Sequence, residues 1–234
     1  MGTNISAEPI IKPVKILICG DSYCVTDPDF AGLHWSEKLL DFCAEIEVMN
    51  FAHGGCSNAM IALQLFQGLR FNPGFVVLSF TNEHRYELDR DRDALPKDLS
   101  AAEIANYLKT RYTTNMYMKD KTIERWMSGR CSDNLEKVKN YFYICTCLQT
   151  LARQQVPFAF SLGGFEYQQD YSAMINSNYI HNVIQDYTSC ELKTNLWFHG
   201  QKTKPWFHVD DERVQTLFAN ECLFHILNSQ VEDC

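Results

Sequence analysis

The chain has 234 residues, 46% hydrophobic and 13% aromatic, and its 21 Lys plus Arg against 29 Asp plus Glu leave a formal charge of −8. That balance excludes a wholly disordered chain, and the length suits one well-filled domain over residues 1–234 with elaborations. An acidic protein without a basic block lacks the footprint that phosphate backbones demand, so no nucleic acid is expected as a partner. Apolar stretches such as 59–66 and 75–80 are too short to span a bilayer, so no membrane partner is expected either.

Residues 1–13 carry no apolar core and do not read as a secretory signal. The ten cysteines are scattered through apolar runs without a CxxC pair, which predicts reduced, buried thiols and a reducing, cytoplasmic setting. Cys24 and Cys56 are read as buried rather than reactive. Cys145 and Cys147, two apart on a predicted helix, are expected on different faces.

Val14 to Cys19 is a β-branched apolar run that stops at Gly20-Asp21-Ser22, the pattern of a buried strand leaving into a turn. Trp35, Leu39, Phe42 and Cys43 then share one helical face. Ile46 to Phe51 forms a second strand, followed by the glycine turn Ala52 to Asn58 and a helix, Ala59 to Leu69, that is apolar almost all round. The third strand, Phe75 to Phe80, leaves into Thr81-Asn82-Glu83-His84-Arg85. This alternation predicts right-handed βαβ crossovers and a parallel sheet.

From 85 to 133 the chain is charged and Tyr-rich, with a helix-like stretch at 101–112 and no strong strand, so an inserted, mainly helical segment is expected. Its Tyr107, Tyr112, Tyr117 and Trp126 suit either packing on the body or stacking on a carbohydrate. Leu135, Val138, Phe142, Cys145, Leu148 and Ala152 mark a long helix. A strand at 156–162, an amphipathic segment at 171–187, a weak strand at 192–198 and a last helix at 211–227 follow, the last expected to bury Val214, Leu217, Phe218 and Leu223.

Gly20-Asp21-Ser22 taken alone is an ordinary capped turn. Its neighbours give it chemistry. Gly55 leaves the second strand with backbone amides open to a ligand, and Asn82 leaves the third with a side-chain amide; both donor types suit a developing oxyanion. Loops at the carboxyl ends of neighbouring parallel strands converge on one crevice, which would bring Ser22, Gly55 and Asn82 together. His208, just before the last helix, supplies the base that a serine nucleophile requires.

In four blocks the chain resembles the SGNH, or GDSL-type, hydrolases: Ile18-Cys19-Gly20-Asp21-Ser22, then Asn50-Phe51-Ala52-His53-Gly54-Gly55, then Ser79-Phe80-Thr81-Asn82-Glu83, then His208-Val209-Asp210-Asp211-Glu212. The resemblance implies Ser22 as nucleophile, His208 as general base, and Gly55 and Asn82 with the Ser22 amide as oxyanion hole. It also implies a three-layer α/β/α fold of flavodoxin type with a five-stranded parallel sheet, and ester or acetyl hydrolysis without a metal or other cofactor.

Two of the blocks depart from the family pattern. The third block usually reads Gly-x-Asn-Asp, whereas Phe80 precedes Thr81-Asn82-Glu83 here. The acid expected three residues before the histidine is replaced by Pro205. Asp210 is expected to cap the last helix, so neither it nor Asp211 is assigned the orienting role. A backbone carbonyl near Pro205 would then hold the imidazole, leaving a Ser-His dyad.

Asp21, His53, His84 and Arg85 surround these groups and are candidate substrate contacts, Arg85 for an anionic or sugar group. Metal-ligand spacing is lacking, and Gly163-Gly164 resembles a phosphate-cradling turn only superficially. The expected function is an esterase or deacetylase acting on an O-acylated small molecule or carbohydrate. The alternative is a non-catalytic binding or assembly module, because fold does not settle function. The texture also resembles hydrolase-like proteins of tailed phages, for which a homo-oligomer, a larger assembly or the virion would be the setting.

Overall fold

The computed structural model describes residues 13–26, 31–42, 46–83, 85, 87–89, 99–114, 133–165, 183–200 and 209–231. At its centre lies β1, Val14–Gly20, in which Ile16 and Ile18 pack into one apolar layer and Leu17 and Cys19 into the other, all without exposure. Burial on both faces is what a β-branched run without polar alternation requires, and parallel sheets provide it.

Three parallel strands join β1 in the order β2, β1, β3, β6, with β2 at Ile46–Asn50, β3 at Phe75–Ser79 and β6 at Phe158–Ser161. On one face lie α1, Trp35–Phe42, and α6, Glu212–Val231, whose Trp35, Leu39, Phe218 and Cys222 meet Ile16, Ile18 and Val77. On the other lie α2, Asn58–Gly68, α3, Ala101–Arg111, and α4, Asp133–Arg153, whose Ile61, Leu65, Ile104, Ile144 and Leu148 cover Leu17, Val76 and Leu78. The result is a three-layer α/β/α sandwich. Gly68 permits the close seating of α2, since a Cβ there would stand 2.4 Å from a Leu17 methyl.

Four strands are formed where five were expected. The fifth position is reduced to one parallel bridge, Phe160 to Glu191, with Leu192 N donating to the Phe160 carbonyl at 2.7 Å. Asn195 then stops any extension: its Oδ1 accepts from Trp197 N at 3.0 Å and starts a short helix, α5 at Leu196–Gly200, inside the segment read as a weak strand.

The inserted segment contains the expected helix α3 but also two strands that sequence reading missed. β4, Glu87–Asp89, and β5, Tyr112–Thr114, pair antiparallel. Tyr and Thr favour strands, but three residues are too few to show alternation. Tyr107 packs against the α2 side of the core; Tyr117 and Trp126 lie outside the described residues.

Cys145 and Cys147, two apart on α4, are both buried in the same apolar cluster. Burial pushes the Cys145 thiol up to about 11 and Cys147 to about 12. Cys19, Cys24, Cys56 and Cys222 are likewise buried, and these are free thiols. Among the described residues no helix is long and apolar enough to cross a membrane.

Candidate active site

The strand order reverses direction between β1 and β3: the chain leaves β1 toward β2 on one side and returns to β3 on the other. In doubly wound sheets the crevice at such a switch point, beyond the carboxyl ends of the strands, is where ligands bind. Gly20 and Ser79 are paired in register at this edge. Ser22 and Asn82 therefore emerge from adjacent strands, two and three residues past a common level.

Ser22 opens a single 3-10 turn, Ser22–Cys24, and is partly exposed. The turn is held from several sides. Asp21 Oδ1 accepts from Tyr23 N at 3.0 Å, and the Cys24 amide donates to the Asp21 carbonyl at 3.0 Å. The Tyr23 carbonyl accepts from Trp35 Nε1 at 3.2 Å and from His34 Nε2 at 3.1 Å. Asn50 Nδ2 donates to the Cys24 carbonyl at 2.7 Å, and its Oδ1 accepts from Ala52 N at 2.9 Å, tying the exit of β2 to the same turn.

His34 is a buried neutral imidazole. Ser36 N donates to Nδ1 at 3.2 Å, so the hydrogen resides on Nε2, facing Tyr23. Burial lowers its pKa to about 4, against the raising effects of that carbonyl and of Glu37.

The glycine turn after β2 reaches the nucleophile from the other side. A Cβ placed on Gly54 would stand 3.9 Å from Ser22 Cβ, so this backbone passes beside the serine with no side chain between them. Gly55 follows with φ +74, a left-handed conformation that glycine adopts at no steric cost. His53 lies on the same turn, its amide donating to the Gly20 carbonyl at 3.1 Å and its Nδ1 lying 2.9 Å from the Gly54 carbonyl.

Asp21 was expected among the substrate contacts and is instead 1% exposed. Its Oδ2 accepts from Arg85 Nη1 at 2.9 Å, so the carboxylate serves the turn and a buried ion pair. Arg85 is itself buried, with its guanidinium carbon 5.2 Å from the centre of the Trp197 ring. Tyr23 packs on that ring at 5.4 Å. The Arg85 head is thereby fixed between a carboxylate and an aromatic face.

The loop carrying Asn82 is clamped by carboxamides. Thr81 N donates to Asn58 Oδ1 at 2.8 Å, and Asn58 Nδ2 donates to the Thr81 carbonyl at 2.8 Å and to Asn140 Oδ1 at 2.9 Å. Asn140 Nδ2 reaches the Glu83 carbonyl at 3.2 Å and Lys137 Nζ lies 3.6 Å from Glu83 Oε1. Gly163, at φ +57, lets β6 pass this loop: a Cβ there would fall 1.9 Å from the Phe80 carbonyl oxygen. Gly164 packs under Trp197, so the glycine pair is explained by close packing.

His208 and His84 lie outside the described residues. The residue after His208, Val209, is buried, and its carbonyl accepts from Gln215 Nε2 at 2.9 Å while Gln215 Oε1 takes the Trp35 amide at 3.0 Å. The cap of α6 is Asp211, whose Oδ1 accepts from Arg213 N at 2.9 Å, rather than Asp210 as expected. Among the described residues no three His, Cys, Asp or Glu side chains gather as metal ligands would. A cavity of about 470 Å³ lies at the opposite end of the sheet, around Phe75, Phe158, Phe224 and His225.

No family model matches the sequence, and no curated protein matches it. Solved structures do match. The psychrotrophic esterase EstA from Pseudoalteromonas sp., in a form inhibited by monoethylphosphonate, aligns with 93% of this chain and 98% of its own at TM-score 0.50 and 13% identity. A catalytic mutant of an acetylxylan esterase from Geobacillus stearothermophilus aligns with 93% of this chain and 95% of its own at TM-score 0.51 and 11% identity. The chain has the SGNH-hydrolase fold.

Ser22, Gly55 and Asn82 do follow the ends of β1, β2 and β3, but sequence reading missed the residues that hold these loops. Asn58, Gln64 and Asn140 carry no family motif. The available signal was a polar amide inside runs otherwise apolar, Gln64 between Leu63 and Leu65 above all, because a buried carboxamide must find partners.

Proposed function

We propose that this chain is a serine hydrolase that cleaves an O-acyl ester, in particular an acetyl ester of a small molecule or glycan. The observation that carries the reading is the approach of the glycine turn to Ser22, with Gly54 seated beside the serine at the switch point of the sheet. The esterases that share the fold support the reaction class.

In this mechanism His208 takes the Ser22 proton as Oγ attacks the acyl carbonyl. The carbonyl π electrons move to oxygen, and the Ser22 amide, the Gly54-Gly55 backbone and the Asn82 side chain stabilise that oxyanion. Collapse breaks the bond to the alcohol, which leaves with the proton from His208. Water, deprotonated by His208, then attacks the acyl-serine, releasing the carboxylic acid and restoring Ser22. His53 flanks the site on the glycine turn, while Arg85, expected as a substrate contact, is buried and braces the Ser22 turn by holding Asp21.

A second reading, a binding or assembly module, is favoured by Pro205 alone, because proline supplies no carboxylate for the base. Hydrolysis of p-nitrophenyl acetate by the wild type, Ser22→Ala and His208→Ala separates the two. Turnover that both substitutions abolish supports the hydrolase; folded wild type without turnover supports the module.

A further inference from the structure

Helix α2 carries two buried carboxamides that each hold both backbone polar groups of a single residue. Asn58 binds both polar groups of Thr81, the residue before Asn82. Gln64 binds both polar groups of Gly20, with Gly20 N donating to Oε1 at 2.8 Å and Nε2 donating to the Gly20 carbonyl at 3.2 Å. Both side chains are completely buried. Each amide mimics a neighbouring peptide where the sheet ladder ends, so a single rigid helix fixes the exit of β1 and the exit of β3. Ser57 anchors the start of that helix, its Oγ accepting from Ala59 N at 3.1 Å and Met60 N at 3.3 Å.

We infer that Asn58 and Gln64 are positioning residues that set the separation between the Ser22 hydroxyl and the oxyanion donor Asn82. The inference rests on the hydrolase reading above and deepens it. Asn58 acts on the reaction through Asn82; Gln64 acts through the Ser22 turn. Asn140 braces Asn58 from α4 and holds the Glu83 carbonyl, which closes the far side of the Asn82 loop.

The discriminating experiment is a double-substitution cycle on p-nitrophenyl acetate hydrolysis, with thermal melting of every variant. Asn58→Ala is expected to lower kcat by about 100-fold, the scale of an ångström of misplacement, with KM nearly unchanged. In an Asn82→Ala background the same substitution is expected to cost less than about 3-fold, because the donor it positions is gone. Gln64→Ala keeps its loss in that background. Asn140→Ala leaves both Asn58 bonds to Thr81 in place and is expected to show a smaller loss that also vanishes without Asn82, which covers the case in which Asn58→Ala fails to fold. For Asn58→Ala and Asn140→Ala, equal losses with and without Asn82 overturn the proposal, as do losses in any variant that track melting temperature alone, while the hydrolase reading stands. A folded wild type without turnover overturns both.

Discussion

Arg85 and Asp21 form a buried ion pair at 2.9 Å that joins the loop after β3 to the loop after β1. One partner is 9% exposed at its side chain and the other 1%, so neither charge is relieved by solvent when its partner is removed. This contact is a cross-brace of the candidate site, placed one residue from Ser22.

Arg85→Met is therefore expected to cost about 3 to 5 kcal/mol, because it leaves a buried carboxylate without its counter-charge. The double variant Asp21→Asn with Arg85→Met is expected to recover a large part of that loss. Urea denaturation of the wild type, both single variants and the double variant measures the coupling. A double variant as unstable as the sum of the singles contradicts the pairing.

His34 gives the stability a defined acid dependence. Its folded pKa, about 4, lies below the ordinary imidazole value of 6.5, so between those values the unfolded chain binds the proton and the folded chain does not. The folded state is favoured fully above about pH 6.5 and loses about 3 kcal/mol as pH falls toward 4. His34→Gln is expected to flatten this part of the stability curve relative to wild type, seen in urea titrations at pH 7 and pH 4.5.

Gly163→Ala is expected to be severe. The new methyl meets the Phe80 carbonyl oxygen in a backbone conformation with φ +57, and neither the strand exit nor the turn has room to yield. A loss of about 3 kcal/mol or more is expected in denaturant melts, along with loss of esterase turnover, since Phe80 leads directly to Thr81 and Asn82.

Asp211→Ala is expected to remove the cap of α6 and cost about 1 kcal/mol. Turnover should keep its pH profile, because the carboxylate of Asp211 is engaged with the Arg213 amide. A shifted acid limb in the rate profile of Asp211→Ala would place that carboxylate next to the catalytic base instead.

The fold was legible where apolar patterning was continuous. Ile16 to Cys19 and Phe75 to Leu78 are unbroken apolar runs, and such runs suit the interior strands of a doubly covered parallel sheet. The fifth strand was over-read because the apolar count at Leu192 to Phe198 ignores Asn195, a helix cap whose effect depends on one hydrogen bond. β4 and β5 were missed because three-residue strands are selected by their partner.

At the site, Ser22, the Gly54-Gly55 turn and Asn82 were legible as loop exits. The partner of Asp21 was not, because an Asp-Arg pair separated by 64 positions leaves no trace in local spacing. The same holds for Asn58 with Thr81 and Gln215 with Val209: each contact is a property of the packed layers. Asp210 and Asp211 were confused because helix boundaries shift by a residue more easily than helices appear or vanish.

Whether Ser22 is the nucleophile is decided by covalent labelling with a fluorophosphonate, with the adduct located by peptide mass spectrometry. One adduct is expected, on Ser22, absent in Ser22→Ala and strongly slowed in His208→Ala. A folded wild type that acquires no adduct, or an adduct on another residue that persists in Ser22→Ala, contradicts it.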